Sequence, residues 1–320
     1  MPTSNSERPL LSMVVLVDQY ETIRPVVERL QAQRAPEQIE LVVVAEDADR
    51  FGLPDTTPGS LGAIRIVEHS RTPMRNARAA GVRAAAGDVV VLGETHAFPA
   101  PGWADALLHA HEQEWVIVTP GLRNANPGSR LSWAGFLLNY GRWMDGLRAR
   151  PISSAAGYNS SYKRSALLAF DDELESLLWA GSVLHDRMRS RGWRFYFEPA
   201  AKVDHLNVTH PADWFAEIFI SARFLAGNRR LDWSLLRRLV YVLGSPLLPG
   251  LFVMRALPAL RLAGSQRKLP RGWLAAFLLA CIVSGSGELV GYLAGAGDSE
   301  TRTADYEEHR TDYAAAAVPE

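Results

Sequence analysis

The stretch VVVLGETHAFPAPGW, from Val89 to Trp103, decides the fold class. Four apolar residues lead to Gly93, and the triplet Glu94-Thr95-His96 follows directly before a proline-rich turn. A short apolar run bounded by turn residues predicts a buried strand. In sheets of parallel strands, ligands bind beyond the carboxyl ends of the strands. We therefore expect a carboxylate and an imidazole at a position where ligands bind.

The sequence around this stretch alternates between strand-like and helix-like segments. Buried strands are predicted over 11–17, 39–45, 63–69, 88–93 and 115–120. Helical periodicity over 22–33, 72–86 and 103–113 separates several of them. Strands that alternate with helices form a mostly parallel sheet with helices on both faces, so the predicted fold class is α/β.

A second strand end lies further along the chain. After an aromatic helical region, a short strand is predicted over 194–197, followed by a turn at Glu198-Pro199. A further strand then ends at Asp204-His205. His205 is therefore expected at the end of a strand, as Glu94 and His96 are.

The composition restricts the class of protein. The chain has 320 residues, of which 48% are hydrophobic, and can therefore bury a sizeable core. A formal net charge of -1 gives no electrostatic reason to expect nucleic acid as a partner. The single cysteine, Cys281, excludes an intrachain disulfide. The N-terminal residues lack the pattern of a signal peptide, so we expect the α/β part in the cytoplasm.

The last quarter of the chain is apolar. Residues 239–264 are interrupted by three prolines, whereas residues 273–297 contain Glu288 as their only charge. The second segment has the length and polarity expected of a membrane-spanning helix. A single span, a hairpin, interfacial helices and a core helix of a soluble dimer all remain open. Because Glu288 would be costly against lipid, we expect it to face protein or water.

These features predict four parts of the chain. They are an N-terminal tail (1–10), an α/β domain (11–230), a membrane-associated helical segment (231–297) and a polar tail (298–320). The polar tail is acidic and is expected to be poorly ordered.

Three segments of this sequence resemble the family 2 glycosyltransferases. They are RNARAAGVRAAAGDVVVLGETHAFPAPGW from Arg75, GYNSSYKRSALL from Gly157, and RSRGWRFYFEPAAKVDH from Arg189. The resemblance covers roughly residues 11–207 and implies the GT-A fold, a Rossmann-like sheet that binds a nucleotide sugar. That family usually carries Asp-any-Asp where this chain has Glu94-Thr95-His96. The chain is similar to a subset that carries Glu-any-His.

The resemblance implies roles for individual residues. Glu94, His96 and His205 would hold a divalent metal, with Mn²⁺ preferred over Mg²⁺ because imidazole replaces a carboxylate. The implied donor-binding residues are Asp18, Glu46, Arg75, Asn76, Arg78 and Thr95. The implied acceptor-side residues are Tyr158, Asn159 and Tyr162.

The general base is the main departure from the family pattern. An inverting transferase needs a carboxylate that deprotonates the acceptor hydroxyl. The position where the family has this acid is Gly181 in this chain. Glu175 and Asp186 are the nearby candidates, although on a helix Asp186 would point about 140° away from position 181.

The resemblance implies an inverting, metal-assisted glycosyltransferase, and the apolar segments lead us to expect it at the cytoplasmic face of the cell membrane. Its donor would be a nucleotide sugar, and its acceptor a hydroxyl of a lipid-linked glycan or polysaccharide. The alternative is a catalytically degenerate protein that binds a nucleotide sugar or a partner without turnover. A nucleotidyltransferase is disfavoured because the N-terminal region has no Gly-rich, Lys-bearing phosphate loop.

Overall fold

Strands and helices alternate along the first part of the chain. The structure is a computed structural model, and it describes residues 8–54, 61–178, 181–231, 233–266 and 269–314. The first elements are β1 (Leu11–Leu16), α1 (Tyr20–Gln31), β2 (Ile39–Ala45), β3 (Ala63–Glu68), α2 (Met74–Ala84), β4 (Val89–Leu92), β5 (Ala97–Pro99), α3 (Trp103–His111), β6 (Ile117–Asn124) and α4 (Arg130–Tyr140). They are followed by β7 (Arg150–Ile152), β8 (Ser161–Lys163), α5 (Arg164–Leu168), α6 (Leu174–Leu177), α7 (Gly181–Ser190) and β9 (Phe195–His205). The remaining helices are α8 (Pro211–Arg229), α9 (Leu235–Gly244), α10 (Leu248–Gln266), α11 (Trp273–Ala294) and α12 (Ser299–Glu308).

Within the described residues, nine strands form one sheet. Its order is β3-β2-β1-β4-β8-β6-β9-β5, and β7 pairs with β9. The block β3-β2-β1-β4 is parallel throughout, whereas β8 is antiparallel to both β4 and β6. The predicted α/β class is confirmed: the strands predicted over 11–17, 39–45, 63–69 and 88–93 lie side by side, whereas the one predicted over 115–120 is β6, which β8 separates from them.

The centre of the sheet is buried on both faces and is apolar except for Ser12 on β1 and Glu40 on β2, whose side chains hydrogen-bond each other at 2.6 Å. All residues of β2 and β4 are buried, and so are the first five of β1. Helices cover both faces of a parallel sheet, so apolar residues occur at consecutive positions instead of alternating. This explains why the runs at 11–17, 39–45 and 88–93 predicted strands with nearly the observed limits.

Strand β9 differs from the prediction. The expected turn at Glu198-Pro199 is absent, and one strand of 11 residues runs from Phe195 to His205. The fixed φ of proline suits an extended strand where its missing N–H is not needed for pairing. The backbone N–H of Ala100 donates to the carbonyl of Lys202 at 3.0 Å, so pairing continues beyond the proline.

Contacts between Cα atoms divide the chain into two units. Unit 1 comprises Met1–Gly121 and Arg148–Val203, and unit 2 comprises Leu122–Leu147 and Asp204–Glu320. The boundary between the units falls inside β6, after Gly121, and inside β9, after Val203. Both strands continue past it without a break, β6 by three residues and β9 by two. The expected domain limits at residues 10, 230 and 297 remain a prediction.

In unit 2, helix α11 packs along α8 and also contacts α4, α9 and α10. Two glycines of α11 allow the backbones of α8 and α11 to approach closely. A Cβ atom on Gly287 would lie 2.4 Å from the carbonyl oxygen of Phe219, and one on Gly291 would lie 2.6 Å from that of Arg223. The glycines in the sequence SGSGELVG are therefore explained by helix packing.

Two apolar segments among the described residues are long enough to cross a membrane. They are Leu235–Ser265 and Trp273–Ala294. In the most apolar 18-residue window of each segment, 11% and 44% of the window, respectively, is buried. The carboxylate of Glu288 accepts a hydrogen bond from the Tyr292 hydroxyl at 2.6 Å and lies 3.9 Å from the Arg229 guanidinium. Glu288 therefore faces protein groups, as its charge led us to expect.

The polar tail is ordered in its first part, contrary to expectation. Residues 299–308 form α12, and the guanidinium of Arg310 lies 3.3 Å from the carboxylate of Glu217 on α8. The backbone N–H of Thr209 donates to the carbonyl of Tyr313 at 3.0 Å. The buried ion pair anchors a segment whose own composition is too polar to form a core. Residues 315–320 lie outside the described part of the chain.

Candidate metal centre

The triplet Glu94-Thr95-His96 connects β4 to β5 and is buried. Glu94 and Thr95 are each 5% exposed, and His96 is 1% exposed. The carboxylate oxygen Oε2 of Glu94 lies 3.9 Å from Nε2 of His96. A buried carboxylate needs a charged partner or several hydrogen bonds, so this triplet is unlike an ordinary solvated loop.

His205 is the last residue of β9 and is 2% exposed. Potential ligand atoms of Glu94, His96 and His205 all lie within 4.8 Å of one another. One carboxylate and two imidazoles are a donor set that suits Mn²⁺, Fe²⁺ or Zn²⁺, whereas Mg²⁺ prefers oxygen ligands alone. The three side chains that the sequence analysis selected could thus hold a divalent metal.

Asn159 orients the carboxylate of Glu94. Its side-chain amide donates to Oε2 of Glu94 at 2.6 Å, and its backbone N–H donates to the carbonyl of Leu92 at 2.7 Å. Asn159 has a φ of 60°, a left-handed conformation that costs free energy in residues other than glycine. Asparagine tolerates this conformation better than most residues. The family resemblance implied that Asn159 lies on the acceptor side, and the structure adds this contact with Glu94.

Asn207 orients the imidazole of His205 and was missed by the sequence analysis. Its Nδ2 lies 3.1 Å from the backbone carbonyl oxygen of His205, which can only accept, so Nδ2 is on that side. Oδ1 of Asn207 then faces Nδ1 of His205 at 3.1 Å and accepts its proton. Neutral His205 therefore carries its proton on Nδ1 and presents the lone pair of Nε2, the form that binds a metal.

A buried polar network holds Asn207 in place. Its amide nitrogen lies 3.1 Å from Oδ1 of Asn124, and the hydroxyl of Ser132 donates to the same Asn124 oxygen at 2.7 Å. The side-chain amide of Asn126 donates to the carbonyl of Asn207 at 2.7 Å. The only local signal for this network in the sequence was the Asn-any-Asn pattern at 124–126.

The residues expected to bind the donor lie near the ends of the parallel strands. Asp18 follows β1, accepts the backbone N–H of Glu46 at 3.1 Å, and forms an ion pair with Arg71. Arg71 was not selected from the sequence. Arg78 on α2 lies over the ring of Tyr158, 4.3 Å from its centroid, and hydrogen-bonds its hydroxyl. Arg75 and Asn76 are half-buried on the same helix, and Thr95 lies 3.5 Å from Nδ1 of His96. Their role in donor binding remains a prediction.

Tyr162, expected on the acceptor side, is fully buried in the core of unit 1. Its hydroxyl is 2.9 Å from Nε2 of His185, which is also buried. Burial raises the pKa of Tyr162 and lowers the pKa of His185 to about 3, so both groups are neutral at pH 7. Packing alone accounts for Tyr162, and its acceptor role remains a prediction, as does that of Tyr158.

The two candidates for the general base are held in surface ion pairs. Glu175 lies 2.5 Å from the Arg83 guanidinium, and this hydrogen bond lowers the pKa of the Glu175 carboxyl. Asp186 lies 2.5 Å from Arg189, with 69% of its side chain exposed. Ion pairing makes the Glu175 carboxylate a weaker base, so its environment does not favour proton abstraction.

The position of Gly181 leaves no room for an acid. A Cβ atom there would lie 2.8 Å from the Cα atom of Gly157. Because this contact is with backbone, an acidic side chain would require the segment around Gly157 to move. The packing around Gly181 therefore does not accommodate the acid that the resembling family has at this position.

Comparisons with known proteins give likeness to solved structures only. No protein-family model and no curated protein sequence match this chain. The structure of GalNAc-T7 with UDP, GalNAc and Mn²⁺ is 13% identical with a TM-score of 0.45, over 62% of this chain and 44% of that one. This chain thus spans less than half the length of GalNAc-T7. Residues 1–349 of TarS from S. aureus are 13% identical with a TM-score of 0.44, over 92% of this chain and 90% of that one. Neither likeness is close enough to assign an activity.

Proposed function

We propose that this chain is a glycosyltransferase of the GT-A fold, similar to family 2 and to its Glu-any-His subset. It would transfer a sugar, with inversion, from a nucleotide-sugar donor to a hydroxyl of a lipid-linked or polysaccharide acceptor. The observation that carries the proposal is the buried cluster of Glu94, His96 and His205 at the ends of two strands of an α/β sheet. The proposal is supported because the motif that carries the family resemblance is also the one whose side chains lie close together.

The metal of this site would be Mn²⁺ in preference to Mg²⁺. Glu94, His96 and His205 would hold it, with Asn159 and Asn207 fixing the orientation of the first and last of these side chains. When bound, a divalent metal neutralises the charge that develops on a departing nucleoside diphosphate.

The cations of α2 would bind the diphosphate of the donor. Arg78 and Arg75 are on one helix, and a guanidinium forms paired hydrogen bonds with phosphate oxygens. Asp18, held by Arg71 and by the backbone of Glu46, would contact the nucleoside. Thr95 and Asn76 complete the proposed donor pocket.

The apolar helices would place the enzyme on the cytoplasmic face of the membrane. Helix α9 has no buried residue, and Leu235, Leu239 and Leu243 on one face of it are each more than half exposed. An exposed apolar stripe of this kind is typical of a surface that meets a membrane or a partner. A membrane position suits a lipid-linked acceptor.

A second candidate function is nucleotide-sugar binding without turnover. The packing of Gly181 against Gly157, together with the ion pairs of Glu175 and Asp186, favours it. The two functions share a donor site and differ in whether any group deprotonates the acceptor.

The first experiment is a calorimetric titration of the detergent-purified protein with Mn²⁺ and a panel of nucleoside diphosphates. We expect Mn²⁺-dependent binding of one nucleotide, lost in Glu94→Ala and His96→Ala and retained in the exposed control Glu112→Ala. A folded protein that binds no nucleotide would refute both candidate functions. Hydrolysis or transfer of the matching nucleotide sugar would then support the enzyme, whereas binding without product would support the degenerate protein.

A further inference from the structure

A cavity of about 220 Å³ lies within unit 2, between helices α4, α8, α10 and α11. Most of its wall is apolar, but four charged side chains also line it: Arg142, Glu217, Arg255 and Glu288. The hydroxyls of Ser221 and Ser284 are on the same surface. A cavity with apolar walls and a few converging polar groups is the usual form of a small-molecule site.

The two carboxylates of the cavity have cations of their own. Glu217 is 3.3 Å from the buried guanidinium of Arg310, and Glu288 is 3.9 Å from the half-buried guanidinium of Arg229. Arg255 therefore adds positive charge to the cavity that these two ion pairs do not offset, and Arg142 also lines it. Both of these lining arginines are exposed, so they lie toward its opening, whereas Glu217 and Ser284 are buried. This charge pattern favours an anion at the opening and hydrogen-bond donors further in.

The surface around the cavity is apolar. Met254 and Leu257 on α10 are 66% and 39% exposed, and Leu225 on α8 is 37% exposed. The neighbouring α9 adds its stripe of exposed leucines. Single exposed apolar residues are common, but a continuous set on adjoining helices indicates a surface that is covered in the working protein.

We propose that this cavity binds the headgroup of an anionic membrane phospholipid whose headgroup carries hydroxyls. Its phosphate would bind Arg142 and Arg255, since guanidinium groups pair with phosphate through two parallel hydrogen bonds. The headgroup hydroxyls would donate to Glu217 or Glu288, and the acyl chains would lie along the exposed residues of α9 and α10. The cavity is smaller than the roughly 300 Å³ of pockets that enclose whole drug-sized ligands, which suits a headgroup with its chains outside.

The lipid site is separate from the proposed transfer reaction and requires no turnover. Its test uses native mass spectrometry of the full chain released from detergent, with phosphatidylglycerol added as the probe. Phosphatidylcholine tests whether net negative charge is needed, and glycerol 3-phosphate tests whether the phosphate alone is enough. We expect one saturable phosphatidylglycerol molecule per chain and little binding of the other two.

Two arginines of α10 provide a matched pair of variants. Arg255→Gln removes a cavity charge and should weaken the first bound lipid at least tenfold. Arg261→Gln removes an exposed charge of the same helix outside the cavity lining, so it should weaken lipid binding by no more than about fivefold, the effect of one charge near an anionic surface. Ser221→Phe fills the cavity without changing its charge and should abolish the saturable site. Circular dichroism checks that each variant is folded.

Three results would overturn the lipid site. These are the absence of a saturable lipid on the folded wild-type protein, equal losses in Arg255→Gln and Arg261→Gln, and glycerol 3-phosphate binding as tight as that of the lipid. Measuring Mn²⁺-dependent nucleotide binding on the same preparations separates a failure of the lipid site from a failure of the proposed function.

Discussion

At the scale of single residues, the candidate metal centre depends on two asparagines that hold its ligands. Asn207 accepts the Nδ1 proton of His205, and Asn159 donates to the carboxylate of Glu94. Groups that orient metal ligands in this way typically contribute 10- to 100-fold to metal affinity. The two asparagines can therefore be tested separately from the ligands.

Substitutions of Asn207 should separate orientation from folding. Asn207→Leu removes the acceptor for His205, so we expect Mn²⁺ to bind about 10- to 100-fold more weakly in a calorimetric titration. Asn207→Asp keeps an oxygen that accepts this proton but loses the donor to Asn124. It should therefore retain Mn²⁺ affinity within a few-fold while lowering the free energy of unfolding by about 1–3 kcal/mol. Equal loss of Mn²⁺ binding in both variants would show that the network serves folding alone. The control is Asn228→Asp, which makes the same change of side chain on α8 and should leave Mn²⁺ affinity unchanged.

Asn159 combines a hydrogen bond with a left-handed backbone, and two substitutions separate them. Asn159→Gly keeps the backbone conformation and loses the hydrogen bond to Glu94, so Mn²⁺ affinity should fall about tenfold with little loss of stability. Asn159→Ala should lose the same affinity and, in addition, about 1 kcal/mol of stability, because alanine is strained at this φ. Equal unfolding free energies for the two variants would contradict the strain.

At the scale of elements, the packing of α8 against α11 depends on glycine. Gly291→Ala places a Cβ atom 2.6 Å from a carbonyl oxygen of α8, so the helices must separate. We expect the free energy of unfolding to fall by about 1–3 kcal/mol, the usual cost of overpacking. Gly264→Ala on α10 meets no atom within 4 Å and should be neutral or stabilising, because alanine favours a helix by about 1 kcal/mol. Thermal unfolding in detergent measures both, and a stabilising Gly291→Ala would contradict the close contact.

At the scale of the whole molecule, acid should destabilise the fold through two buried histidines. Burial lowers the pKa of His111 to about 4 and that of His185 to about 3, whereas unfolded histidine titrates near 6.5. Both are neutral when folded, so the stability present above pH 6.5 is lost as the pH falls toward the folded pKa values, because protons bind the unfolded chain. Between pH 7 and 5.5 we expect a loss of about 2.5 kcal/mol, half of it from each histidine.

Urea unfolding at the two pH values measures this loss. His185→Phe should remove about half of the pH dependence, although it also takes a partner from the Tyr162 hydroxyl and lowers stability at both pH values. His109→Gln is the control, because the His109 side chain is 79% exposed. An unchanged pH dependence in His185→Phe would refute the assignment.

The exposed face of α9 should govern attachment to membranes. The double substitution Leu239→Glu with Leu243→Glu places two charges in the exposed apolar stripe. We expect vesicle binding in a flotation assay to fall at least tenfold, since burying each leucine contributes about 1.5–3 kcal/mol. Leu53→Glu, at a 36% exposed leucine of unit 1, should leave binding unchanged. Equal binding of the α9 variant and the wild type would place the membrane contact elsewhere.

Local patterns in the chain predicted β1, β2, β3, β4 and β6 and the helices α1, α2 and α3, whereas the short strands β5, β7 and β8 were missed. A strand buried on both faces must be apolar at consecutive positions, so β1, β2 and β4 stand out within a few residues. The ends of such strands placed Glu94, His96 and His205 where ligands bind, and the family resemblance then implied that they hold a metal. The apolar helices followed from length and composition alone.

Only the tertiary structure decided how these parts are held. Asn159 contacts Glu94 across 65 positions of sequence, Asn207 contacts Asn126 across 81, and Arg310 reaches Glu217 across 93. Hydrophobic periodicity carries no information over such separations, because it indicates which face of an element is buried but not which residues pack against that face. Contacts between segments that are distant in the sequence also produce the continuous β9, the ordered tail, the crowded Gly181 and the cavity of unit 2. Neighbouring residues thus determine the secondary structure of this protein. The orientation of side chains, the burial of charged groups and the cavities are determined by how distant segments pack.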